Sequence, residues 1–422
     1  MRNAYPHPHG GASNRGGTEF VAAAKYDDRK ARLVEFQFSV VQSYILEFGH
    51  QYIRVIKDGG LVIETQGAGT DIVKSGTWKW TASGHGTNEY YLEKNAGGDP
   101  ALDEPLFVYA DVGGSDTVLD IGTLGALAGG EWAYGDNDSL GYDTIYVRLA
   151  DGTDPDTKAV GYLEASYYEE VATPYVEEDL PLLKFVQSAD VLYITHPLYA
   201  PRKLSRTAHD MWSLATITFG AAIAAPTGLA SAGGTGTSYV VTALTDKGEE
   251  SVASGAATGA PGNALSWGAV TGATSYNIYK DPNASGTYGL IGSAATTSFT
   301  EPSAGISPNF SRTPPVSSTP LSGVGDYPGC ATFFEQRLLF ARSDNDPQTF
   351  WGSVVSSFEN LNKSTPLKDD DSYEFTINAR QVNEIRWLIP MNDLLIMTSG
   401  GEFKAGPGTQ GNAITPTSIN IR

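Results

Sequence analysis

The stretch FFEQRLLF, residues 333–340, decides how the chain is read. Phe333, Phe334, Leu338, Leu339 and Phe340 are large and apolar, yet Glu335, Gln336 and Arg337 stand between them. Charged groups inside an apolar run are costly unless paired or exposed. Either this is a polar constellation with chemistry to do, or it is a strand whose polar residues bridge to neighbours. Successive side chains of a strand point to opposite faces. A single strand would therefore put Glu335 and Arg337 on one face and Gln336 on the other. The five apolar residues would then fill a core. On that reading, replacing Arg337 by Ala harms folding or assembly rather than turnover.

The surroundings favour architecture. From 322 to 422 the chain runs through short apolar stretches separated by turn residues: ATFFEQRLLFARS, QTFWGSV, SYEFTIN, EIRWLIPMNDLLIMTSGGEFKAG and TSINIR. Pro390 to Asp393 predicts a hairpin turn between EIRWLI and LLIMTS. Such spacing fits the blades of a propeller or a large meander. Residues 304–321, containing ISPNFSRTPPVSSTPLSG, form a Pro/Ser linker. Before it, 226–303 holds alternating runs such as SYVVTAL and SYNIYK, with turn signals between them and Trp267 close by. Seven short strands at this spacing predict a sandwich.

The amino-terminal half is also β-patterned. LVEFQFS, SYILEFG, QYIRVIKDG and LVIE alternate and are punctuated by FGHQ and KDGG. Residues 67–164 change character, with 17 acidic residues against 5 basic ones, a net of −12. Dense Gly, Asp and Asn mark turns there, so this segment reads as a β module inserted into a platform made of 1–66 and 165–225. One short helix is expected near VEEDLPLLKFVQ, residues 176–187, because its first turn is acidic. DVLYITHP follows as a strand stopped by Pro197. The fold class is thus mainly β and multidomain: a platform, an inserted β module, a sandwich and a propeller-like block.

Composition narrows the function. The 422 residues carry a formal net charge of −20 and no basic cluster. Sequence-independent capture of nucleic-acid phosphates is therefore disfavoured, although an acidic wall would let a strand pass without sticking. Cys330 is the only cysteine, which leaves no internal disulfide and no cysteine-based zinc site. FGAAIAAPTGLA is too short, and too interrupted by Gly and Pro, to cross a bilayer. The opening residues lack an apolar stretch of signal-peptide length.

Glu169 and Glu170, with Glu177, Glu178 and Asp179, could act as paired carboxylates on a sugar bond, but sequence neighbours seldom face one another at the needed separation. GDNDSLGYD offers Asp136, Asp138 and Asp143 as weak calcium candidates. Leu140 and Val147 occupy positions where an EF-hand loop needs ligands. An Asx-rich turn is the plainer reading. His7 and His9 could pair on a metal, but the other histidines are scattered. Trp78, Trp80, Tyr90 and Tyr91 could stack on sugars, although core packing suits their strand spacing better. No phosphate loop, nucleophile elbow or zinc-protease motif occurs. No cofactor is expected, and the chain does not read as an enzyme.

Two resemblances sharpen these expectations. PTGL, YVVTAL with GEES, and LSWGAVTGATSYNIYK resemble a fibronectin type III domain over 226–303. GGASNRGGTEFV, RLVEFQFSVVQSYILEFGHQYIRVIKDGG, ATPYVEEDLPLLKFVQSADVLYITHP, FFEQRLLFA, PQTFWGSVVSSFENL, DDDSYEFTIN and QVNEIRWLIPMNDLLIMTSGGEF occur in that order. Together they resemble the tail nozzle proteins of short-tailed bacteriophages, also called tail tubular protein B. The resemblance implies a structural virion protein: a homo-oligomeric, hexameric ring with a platform and a propeller-like domain. Its partners would be the adaptor and other tail proteins, with DNA passing through the channel unbound. Against that pattern the chain is expected to be short at both ends and its propeller-like block incomplete. The two inserted modules would decorate the tail and contact the host surface. The alternative is a carbohydrate-binding or adhesin-like surface protein.

Overall fold

The computed structural model describes residues 4–6, 10, 12–14, 20–39, 42–63, 70–71, 79–93, 104–136, 141–159, 162–378, 382–408 and 413–422. Among these the mainly β expectation holds. The strands form several separate sheets and none closes into a barrel. Pairing is antiparallel except where Asp120–Ile121 runs parallel to Glu131–Gly135. The helices among the described residues are two 3-10 segments, Pro155–Thr157 and Glu177–Leu182.

By compactness the chain divides into 1–180 with 206–213, and 181–205 with 214–422. Residues assigned to the platform from sequence, 1–66 and 165–225, fall partly in each unit.

In the first unit, Arg32–Gln37, Ser43–Gly49 and Tyr52–Lys57 form a meander, and Glu170–Ala172 adds to its far edge. Alternation explains the burial. Tyr44, Leu46 and Phe48 turn inward, while Leu33, Glu35 and Gln37 turn out. Phe36 and Tyr44 meet Trp212 edge-on at 4.8 and 5.3 Å. The chain leaves this sheet at Ile63 and rejoins it at Tyr168 across an antiparallel bridge. What lies between is a two-sheet module. One sheet runs Asp116–Val118, Phe107–Asp111, Leu163–Ser166, Thr70–Asp71. The other runs Asp120–Ile121, Glu131–Gly135, Thr144–Arg148, Tyr90–Glu93, Lys79–Ala82. Trp80, Leu92, Val108, Trp132, Ile145 and Leu163 make its core.

The expected helix at 176–187 is realised differently. Pro181, inside Glu177–Leu182, lacks the N–H a longer helix would need. The chain then extends into the strand Lys184–Ser188, which pairs with Val191–His196.

The second unit contains meanders of consecutive strands. Lys184–Ser188, Val191–His196 and Tyr199–Ala208 begin one that continues into Met211–Thr216. Cys330–Phe334, Arg337–Ala341, Thr349–Gly352 and Tyr373–Thr376 form another, and Ile385–Pro390, Leu394–Thr398, Glu402–Gly406 and Asn420–Ile421 a third. The first strand of the middle sheet neighbours the first strand of each of the others. Lys184 Nζ sits 3.8 Å from the centre of the Trp387 ring. The hairpin after Pro390 forms as expected, with Pro390 facing Leu394.

Residues 226–303 form two sheets. One holds Ala230–Ser231, Ala264–Ser266 and Ser298–Thr300; the other holds Ala257–Gly259, Thr237–Leu244, Ser275–Asp281 and Gly289–Ala294. Tyr239, Val241, Leu265, Trp267 and Ile278 lie in their common core. Backbone bridges fasten the Pro/Ser linker at two points. Asn309 bridges to Leu290 and Val316 to Lys363, and Leu321 is fully buried.

Candidate functional site: the Arg337 cradle

FFEQRLLF is not one strand. It is a hairpin in which Cys330–Phe334 pairs with Arg337–Ala341, Phe334 faces Arg337, and Glu335 and Gln336 are the turn. Both turn residues have positive φ, 47° and 59°. Two-residue turns of this hand match the right-handed twist of the flanking strands. Gly or Asn usually occupies them, because other residues pay a steric cost there. The expected arrangement, with Glu335 and Arg337 sharing one face of a strand, is therefore corrected: Glu335 and Gln336 leave the ladder altogether.

The apolar residues divide between two cores. Phe333, Leu338 and Phe340 pack with Tyr193, Phe219, Leu321 and Trp351. Phe334, Leu339 and Ala341 pack on the other side with Phe350, Tyr373, Leu388 and Ile396. A strand covered on both faces favours apolar residues at successive positions, which accounts for Leu338, Leu339, Phe340 and Ala341 in a row.

Arg337 is 2 % exposed. Its Nη1 donates to the carbonyls of Ser353 at 2.5 Å, Asp371 at 2.6 Å and Asp370 at 3.4 Å, and its Nη2 donates to Asp369 at 2.7 Å. The guanidinium also lies 5.0 Å from the centre of the Tyr373 ring. Burial pulls its pKa below the ordinary arginine value, opposed by nearby Tyr373 and Asp370. The planar fork suits this task, because several donors can be satisfied at once. Glu335 accepts from the backbone N–H of Ile414 at 2.7 Å, and burial raises its pKa above the usual carboxylate range. The two charges thus serve different loops rather than each other.

Beside the cradle lies a cleft of about 70 Å³, lined by Glu249, Glu250, Asn360, Asn362, Lys368 and Asp371 among others. Glu249 Oε1 accepts from Ala222 N at 3.1 Å, Ser357 Oγ at 2.5 Å and Asn360 Nδ2 at 3.2 Å. Glu250 Oε1 accepts from Thr242 at 2.7 Å, Asn277 at 3.0 Å and Tyr279 at 2.5 Å. Asp371 accepts from Ser364 N at 2.9 Å and Oγ at 3.1 Å, and from Lys368 N at 2.8 Å. Each carboxylate is engaged in holding a loop. The arrangement fastens the 369–371 loop, the 248–251 turn and the 353–360 segment together.

The other sequence candidates are dispersed. Asp136 is exposed and accepts from Gly141 N at 3.0 Å, and Asp143 is exposed. Asp138, His7, His9 and Trp78 lie outside the described residues. Among the described residues no three His, Cys, Asp or Glu side chains are grouped to hold a metal. Glu170 takes Lys25 Nζ at 2.5 Å and Arg54 Nε at 3.0 Å, Glu169 takes Trp212 N at 3.1 Å, and Asp179 takes Val176 N at 3.1 Å. Trp80 is in the core of the inserted module, Tyr90 packs against that core, and Tyr91 packs on Tyr146. Cys330 is buried, and burial pushes its thiol up to about 12, far from the range of a reactive thiolate.

The carbonyls that receive Arg337 escaped the sequence reading because main-chain acceptors leave no residue signature. The run Asp369–Asp370–Asp371 draws attention to its carboxylates, whereas the cradle uses its backbone. No family model matches the chain, and no curated protein matches it in a sequence search.

Proposed function

We propose that this chain is a structural virion protein of a short-tailed bacteriophage, a tail nozzle subunit that forms a hexameric ring around the path of ejected DNA. The observation that carries the reading is the ordered set of sequence motifs, from RLVEFQFSVVQSYILEFGHQYIRVIKDGG through FFEQRLLFA to QVNEIRWLIPMNDLLIMTSGGEF. The cradle supports it, because one side chain of FFEQRLLFA binds the backbone at the start of DDDSYEFTIN. In this reading the three meanders are blades of a propeller-like body, and their first strands face its axis. Residues 226–303 are a fibronectin type III-like sandwich, consistent with seven strands in two sheets around Trp267. The function is non-enzymatic and needs no cofactor. Adaptor and other tail proteins are the partners, the site of action is the virion tail, and DNA passes without specific binding past a protein of net charge −20.

Native mass spectrometry of the full chain, alone and with an adaptor protein, tests the proposal. Six copies per particle, seen as rings by electron microscopy, are expected. A strictly monomeric protein that enters no particle would overturn it.

A further inference from the structure

The sheet that starts with Ile385–Pro390 is apolar on both faces. Leu388, Leu394, Ile396 and Ala405 turn into the core shared with the middle sheet. A register shift between Ile385 and Trp387 re-aims the first strand. Alternation then sends Trp387 and Ile389, with Met397 and Leu395 opposite them, to the other face. Trp387 is 54 % exposed, Ile389 40 %, and Met391, in the turn beyond them, 65 %. Water on an outer sheet face favours polar residues, so an apolar face of this kind marks a contact. Beside it opens a hollow of about 490 Å³, lined by Pro390, Met391, Asn392, Asp393, Leu395 and Lys404. The middle sheet shows what covers such faces in this chain, because each of its two apolar sides packs against a neighbouring sheet.

We infer that a second copy of this chain packs on this face, the same face of each copy meeting across a two-fold axis. Charge selects the occupant. A chain of net charge −20 repels its own copies on average. This face is the exception: Glu384, Asp393 and Glu402 are matched by Arg386, Lys404 and Lys184, the last stacked on Trp387. A basic partner would find stronger attraction on the segment 67–164, which carries −12. A two-fold contact needs a surface complementary to itself. Glu402 and Lys404 stand two residues apart on one strand, and so on one side of the sheet. The same strand of a second copy, run antiparallel, sets Lys404 against Glu402 and Glu402 against Lys404. Lys404 also pairs with Asp393 of its own chain. Shape agrees, because Met391 stands beside the hollow, and each copy offers the other a knob and a recess. The apolar residues supply the attraction, and Trp and Met are among those enriched at interfaces. The charges fix the orientation. The pairing goes beyond the ring reading, since two copies can join in this way whether or not six close a ring.

The test is sedimentation equilibrium of the full chain over a range of protein concentrations, with hydrogen exchange read at residues 386–397. Concentration-dependent pairing is expected, with slower exchange over 386–397 in the paired form. Ile389→Asp with Met391→Asp should weaken pairing by about tenfold or more, at unchanged thermal midpoint because both side chains are exposed. Glu402→Lys should weaken it, and adding Lys404→Glu should restore it. A chain that never pairs, or a folded Ile389→Asp, Met391→Asp variant that pairs as tightly as the parent, overturns the inference. So does faster or unchanged exchange over 386–397 on pairing, or a charge swap that fails to restore it. Six-copy particles left intact by the double variant would keep the ring and overturn the pairing. Two-copy species alone would keep the pairing and overturn the ring.

Discussion

Arg337 shows how a buried charge can be held chiefly by main-chain carbonyls, with the carboxylates of Asp370, Glu335 and Asp371 acting from further off. Carbonyl oxygens carry partial negative charge, and four of them, from Ser353, Asp369, Asp370 and Asp371, surround one guanidinium. Removing the side chain leaves those acceptors buried and opens a cavity between the hairpin and the loop. Breaking such a buried charged contact costs about 3–5 kcal/mol. Arg337→Ala should therefore lose stability on that order in urea titration. Arg337→Lys should recover only part of it, because an ammonium cannot reach carbonyls on several sides at once. An Arg337→Ala protein with an unchanged urea midpoint would contradict the cradle. The importance of this residue was legible in the sequence, since a charge in an apolar run demands a partner. The identity of that partner was not legible. The turn was hidden too, because Glu335–Gln336 carries none of the Gly, Asn or Asp that announce a two-residue hairpin.

Elements were legible where alternation was strong. The strands Arg32–Gln37, Ser43–Gly49, Tyr52–Lys57 and Val191–His196 stand where the pattern put them. Elsewhere a local rule held for only part of its span. The acidic run at 177–179 does begin a helix, the 3-10 segment Glu177–Leu182, but Pro181 and the pairing of Lys184–Ser188 with Val191–His196 end it there. The Pro/Ser stretch 304–321, read as a linker, is bridged to Leu290 through Asn309 and to Lys363 through Val316. Sequence could not reveal the lock at the end of the sandwich. Glu301, 1 % exposed, takes Lys280 Nζ at 2.6 Å and the Tyr239 hydroxyl at 2.7 Å, with Ile306 N as a third donor. Burial opposes its ionisation, but the Lys280 ammonium and the other donors win and lower its pKa. Asp281 is lowered as well: main-chain N–H donors at Asn283 and Gly286 outweigh its burial. A depressed folded pKa gives stability that is complete above the unfolded value, about 4.3 for Glu. That stability is lost as pH falls through the folded value. Thermal midpoints should thus fall steeply from pH 5 towards pH 3. Glu301→Gln should lower the midpoint at pH 7 and flatten the acid slope; an unaltered slope would show that the lock does not govern it.

At the scale of the whole molecule, charge opposes assembly. In the ring proposed for this chain, copies bearing −20 each would repel one another. The screening length falls from about 30 Å at 0.01 M salt to about 10 Å at 0.1 M. The assembled fraction should therefore rise over that range in sedimentation velocity runs; a fall would mean that attraction between opposite charges holds the copies together. The bridge between Ile63 and Tyr168 has a consequence of another kind. It brings the two ends of the inserted module side by side on a sheet that is already paired. The module hangs from the body as a cassette from a socket. Any folded unit whose ends emerge together could take its place, leaving the pairing of Arg32–Gln37, Ser43–Gly49 and Tyr52–Lys57 untouched. Such an exchange would demand only that two chain ends meet in register at one sheet edge.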